Sequence, residues 1–136
     1  MATAVFNSSF VYTPGGGGTL AQSFTIETKY VAISSGTIDV PASVAAGQVI
    51  EIPFGGVGVG ALGVVIRNKI DKDLGVRPGP PAAGAPADPF SIPPDGVLVY
   101  WAPKKGPAGT PLKACGLTVL AAPTVDGSID YIVLGE

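Results

Sequence analysis

From Gln48 to Ile70, apolar side chains fall at every second position on both sides of a glycine-rich stretch, Gly55-Gly-Val-Gly-Val-Gly60. Ile50, Ile52 and Phe54 alternate with Val49, Glu51 and Pro53. Leu62, Val64, Ile66, Asn68 and Ile70 alternate with Gly63, Val65, Arg67 and Lys69. A period of two in β-branched residues is the pattern of a half-buried strand. No charged side chain occurs between Glu51 and Arg67, so the two strands read as a pair at the centre of the core. The glycines between them permit a sharp reversal or a close backbone approach.

The same stretch contains Gly58-Val-Gly60-Ala-Leu-Gly63, the spacing of a dinucleotide fingerprint. That fingerprint needs a helix at its third glycine to hold the pyrophosphate. Val64, Val65 and Ile66 continue a strand instead, so these glycines are read as structural.

The 20 glycines and 14 prolines among 136 residues punctuate many short strands, while 46% hydrophobic residues argue against disorder. Val5–Tyr12 reads as a first strand or arm, with Phe6, Phe10 and Tyr12 in step. Pro14-Gly-Gly-Gly-Gly18 reads as a flexible link, so residues 1–18 form a candidate N-terminal arm. The next strand spans about Ser23–Ile33, with Phe24, Ile26, Thr28 and Tyr30 on one face and a phase shift at Val31. Such a shift marks a bulge or a strand changing sheets. Ser34-Ser-Gly36 reads as a turn and Thr37–Val40 as a short strand. Asp71-Lys-Asp73 has the look of a calcium loop but lacks the glycine and the terminal glutamate, so it reads as a polar turn.

Residues 77–94 hold seven of the 14 prolines and read as a long projecting loop that touches a neighbour through Phe90 and Ile92. A PxxP ligand is the other reading, but Arg77 is the one nearby cation. Val97–Ala102, Leu112–Leu120 and Ser128–Leu134 complete about eight strands, with a lysine- and proline-containing loop at 104–111. With no helical crossover, the expected fold is a single all-β domain, an antiparallel two-sheet sandwich of jelly-roll or Greek-key type.

Histidine is absent and Cys115 is the sole cysteine. This removes the commonest general base and metal ligand, every Ser-His or Cys-His arrangement and any thiolate cluster. The carboxylates show no recognisable paired motif, so neither enzyme activity, nor a cofactor, nor a metal is expected. A net charge of −2 with scattered lysines offers no stripe for nucleic acid. The uncharged run Ile52–Ile66 is too short for a membrane span, and the N-terminus lacks the pattern of a secretory signal. Synthesis in a cytoplasm is expected.

Charged residues make up 13% of the chain, and residues 1–26 carry no charged side chain, so much of the surface is expected to be covered by other subunits. The candidate contact residues are Phe6, Phe10, Tyr12, Phe90 and Ile92.

The order Ile66-Arg-Asn68, Asp73-Leu-Gly-Val-Arg77, Phe90-Ser-Ile-Pro-Pro-Asp-Gly-Val-Leu-Val-Tyr100 and Gly127-Ser-Ile-Asp-Tyr-Ile-Val-Leu-Gly135 resembles small β-rich virion structural proteins of tailed bacteriophages. The resemblance covers roughly residues 60–135. It implies a decoration, cement or fibre-associated protein that binds the major capsid protein or another virion protein, as a homo-oligomer with a trimer the first expectation. The alternative is an adhesin or carbohydrate-binding module, with Tyr100 and Trp101 as aromatic platforms.

Overall fold

A computed structural model describes residues 2–13, 15–58, 60–78, 90–101, 112 and 114–136. They form ten strands and, among the described residues, no helix. β1 (Ala2–Tyr12) and β2 (Leu20–Tyr30) make a two-stranded ribbon in unbroken antiparallel register from Ala2↔Tyr30 to Tyr12↔Leu20. The other eight are β3 (Ala32–Val40), β4 (Val49–Glu51), β5 (Ala61–Lys69), β6 (Leu74–Pro78), β7 (Phe90–Ile92), β8 (Val97–Trp101), β9 (Cys115–Val119) and β10 (Gly127–Gly135).

These eight strands build two four-stranded antiparallel sheets, with orders β3-β10-β5-β8 and β4-β9-β6-β7. The pairs β3·β10, β4·β9, β5·β8 and β6·β7 are nested, so the strands behave as one long hairpin folded over on itself. The inner faces meet in a single apolar cluster. Val64 and Ile66 of β5 and Ile129, Tyr131 and Val133 of β10 pack with Leu74 and Val76 of β6, Ile92 of β7 and Leu117 and Val119 of β9. The all-β antiparallel sandwich read from the sequence is the architecture observed.

The local expectations fare unevenly. The alternation in 62–70 is right: Leu62, Val64, Ile66, Asn68 and Ile70 are all buried. Its supposed partner is elsewhere. β4 pairs with β9, whereas β5 lies between β10 and β8, so the glycine-rich stretch carries the chain from one sheet to the other instead of closing a hairpin. Alternation reports that a strand has a buried face, and two strands can bury that face in one core from opposite sides. The phase shift at Val31 is a change of sheets: the chain leaves the ribbon there and enters β3, with Val31 N–H donating to the Gly135 carbonyl.

Ser34-Ser-Gly36 is not a turn but part of β3, paired with Tyr131–Val133. Gly36 leaves room for the Tyr131 ring, whose hydroxyl would stand 3.0 Å from the first carbon of a side chain there. The expected loop over 77–94 is shorter than read, since Arg77 and Pro78 end β6 and Phe90–Ile92 form β7. Its remainder, 79–89, lies outside the described residues, as does the 104–111 loop. The eight strands expected from the sequence therefore counted the two ribbon strands and overlooked β6 and β7.

Candidate functional site

Among the described residues no group of three or more His, Cys, Asp or Glu side chains converges. Cys115 is buried in the core, and desolvation pushes its thiol up to about 11, so it stays protonated at neutral pH. Asp71 is held below the usual carboxylate range by the Thr124 hydroxyl, which donates to it together with the Thr124 N–H. Asp130 is lowered first by the Thr37 hydroxyl at 2.8 Å and further by Lys69 at 3.4 Å. Both carboxylates fasten neighbouring segments to each other.

Val64, Ile66, Val76, Phe90, Leu98 and Cys115 line a cavity of about 530 Å³ between the sheets. A site that orients a small molecule needs placed polar groups. Among the described residues Tyr100 and Cys115 are the sole polar candidates in this lining, and no ligand is assigned to it.

The surface with the most to explain is the ribbon. Residues paired across an antiparallel ladder share a face. Ala4/Thr28, Phe6/Ile26, Ser8/Phe24, Phe10/Gln22 and Tyr12/Leu20 therefore point one way. Thr3/Lys29, Val5/Glu27, Asn7/Thr25, Ser9/Ser23 and Val11/Ala21 point the other way. The first face is an aromatic and aliphatic stripe; the second is mostly polar, with Thr25 Oγ1 donating to Asn7 Oδ1 at 2.8 Å.

The base of the stripe is pinned to the body by Trp101. Its Nε1–H donates to Thr28 Oγ1 at 2.7 Å, and Phe6 stacks on the indole with ring centroids 5.2 Å apart. The indole lies over Gly63 of β5, where a side chain would place its first carbon 2.8 Å from the ring. Beyond this anchor the stripe is open. Phe24, with its ring centroid 6.0 Å from that of Phe6, is 55% exposed, and Phe10, Tyr12 and Leu20 are 65%, 52% and 66% exposed.

Of the expected contact residues, Phe10 and Tyr12 lie on the open stripe, and Phe90 is half exposed on the edge strand β7. Phe6, half-buried, stacks on Trp101 of its own chain. Ile92 requires a correction: it is 2% exposed in the core and its carbonyl accepts from Asn68, so it cannot reach a partner. Trp101 has one indole face against Gly63 and is stacked by Phe6, which leaves it unsuited to be a sugar platform.

Sequence reading missed Leu20 and the joining of the two aromatic runs. The signal was present: a glycine run between two alternating segments closes a hairpin as readily as it loosens a link. Comparison with protein-family models, curated proteins and solved structures finds no significant match to the chain.

Proposed function

We propose that this chain is a non-enzymatic structural protein of a tailed-bacteriophage virion, decorating or cementing the capsid through static protein–protein contacts. The observation that carries the reading is the ribbon, whose apolar stripe is open for half its length on a chain with few charges. A two-stranded ribbon is marginally stable by itself. This one has no proline, bulge or charge over residues 2–12 and 20–26 to guard its edges, so it is suited to permanent cover. The nested strand order, read as a jelly roll, fits the same class of protein. So do the segments that carry the resemblance: Phe90–Tyr100 spans β7, a turn and β8, and Gly127–Gly135 is β10.

The partners under this reading are the major capsid protein or another virion protein. Carbohydrate binding is the weaker reading, because it relied on an indole that is already engaged. Mass spectrometry of purified particles tests the proposal. The chain is expected at a stoichiometric copy number that survives a high-salt wash, since apolar contacts are not screened. Its absence from particles of a phage that encodes it would overturn the assignment.

A further inference from the structure

We infer that the open stripe of the ribbon is covered by the outer face of the β3-β10-β5-β8 sheet of a second copy of this chain, arm on face. The inference shares with the proposed function the reading of the ribbon as a contact surface, and it holds wherever the protein works.

The chain displays a contact of this kind once within itself. Trp101 sits on the outer face of that sheet above Gly63, and the ribbon residues Phe6 and Thr28 lie against it. Among the described residues β8 is the edge strand of that sheet, so no described strand lies past Trp101 to underlie the ribbon. The stripe nevertheless continues with unchanged chemistry through Phe24, Phe10, Tyr12 and Leu20. The ladder has no bulge over its length, and its distal residues Phe24, Phe10, Tyr12 and Leu20 stay exposed.

The matching surface is on the same sheet. Register places Ile33, Ile132, Val65, Val97 and Val99 on its outer face. Val97 is 54% exposed, and Ile33, Ile132 and Val99 are also exposed. Val97 borders a charged row, paired with Arg67, which pairs in turn with Asp130, and Asp39 and Lys69 lie beyond it. The stripe carries no charge, and the apolar patch of Ile33, Ile132, Val65 and Val99 with Val97 at its border has apolar chemistry to match it. The areas also agree. The four distal stripe residues at about half exposure leave roughly 400 Å² open, given about 200 Å² for a large side chain. The sheet patch is of similar size. Each copy would thus cover about 800 Å², as arm donor and as face acceptor together, which is the share per partner of a standard stable interface. That share is reached in one interface only by a reciprocal dimer, each arm on the other copy's face; a ring would have half of it at each contact, so the arrangement inferred is the two-fold dimer.

The test uses the purified full-length chain with no particle present. Sedimentation velocity is expected to show an oligomer at micromolar concentration. An arm variant, Phe10→Asp with Leu20→Asp, and a face variant, Val97→Asp with Ile132→Lys, should each sediment as monomers, with association weakened at least tenfold. Circular dichroism and Trp101 emission check that both are folded; Val97→Asp alone, at an exposed edge position, replaces the face variant if the double change unfolds it. Mixed together, the two variants should form a one-to-one complex, weaker than the wild-type dimer but tighter than either variant with itself, because one of its two arm-on-face contacts is sound. A monomeric wild type overturns the inference, and so does a mixture that fails to associate, which is the result for ribbons that pair with each other. Neither result bears on whether the chain occurs in particles.

Discussion

The Asn68 side chain donates its amide to the carbonyl of Ile92 at 2.9 Å, tying a central strand of one sheet to the edge strand of the sheet facing it. The same amide donates to the Lys72 carbonyl at 2.8 Å, and Asn68 Oδ1 accepts from the Ile70 N–H at 2.9 Å. A fully buried amide is therefore satisfied on both ends, at the point where β5 turns towards β6. Asn68→Ala would leave two carbonyls and one N–H without that partner, in a site with little water. The expected cost is about 2–4 kcal/mol in urea denaturation, the range for several buried polar groups losing partners together. A loss under about 1 kcal/mol, the value of a single ordinary hydrogen bond, would mean that water replaces the amide.

Ile66 lies two residues earlier on the same face and has no exposed surface. It belongs to the cluster that both sheets share, so Ile66→Ala opens a cavity at the centre and should cost about 2–5 kcal/mol. A change below about half a kcal/mol, typical of surface positions, would be incompatible with this packing.

How much of this was legible depends on which interaction decides each feature. Burial of one strand face is written locally, so the alternation in β5 gave its core directly, with Asn68 conspicuous as the polar member of an apolar row. Pairing is decided by the whole core, and nothing local told β4 to join β9 instead of β5. β7 is three residues long between Pro89 and Pro93, too short for any period to show. β6 includes Gly75 and ends at Pro78, and it is held as a strand by β9 and β7 on its two sides. At the candidate surface, Phe10 and Tyr12 were visible as an aromatic row. Their continuity with Phe24 and Leu20 required the register across the 13–19 loop, and the role of Trp101 required contacts between residues more than 70 positions apart.

Trp101 reports on the ribbon because it is the sole tryptophan. Gly63→Val would drive a side chain into the indole, which can yield only by leaving Thr28 and Phe6. Trp101 emission should shift to longer wavelength, and limited proteolysis should cut within residues 1–30 faster than in the wild type. Thr28→Val removes the hydrogen bond and keeps the shape, so it should loosen the ribbon less, by about 0.5–1.5 kcal/mol. Unchanged emission and cleavage in Gly63→Val would show that the ribbon is held by something other than this anchor.

Burial raises the Cys115 thiol from its ordinary 9.0 to about 11, and the sign of the resulting pH dependence is fixed. Below pH 9 the thiol is protonated in both the folded and the unfolded chain, so its contribution to stability is fully present. Between pH 9 and 11 the unfolded chain releases the proton while the folded one keeps it, so stability falls across that window. The stability lost there through the thiol is at most about 3 kcal/mol. Cys115→Ala has no proton to release and should lose less stability over the same interval, whatever its starting value. The difference between the two pH profiles isolates the thiol from the rest of the chain. The native thiol should also resist a thiol-specific reagent at pH 8 and react promptly in urea. Parallel loss of stability in the two proteins from pH 9 to 11, or rapid native labelling, would place Cys115 in contact with water and outside the core.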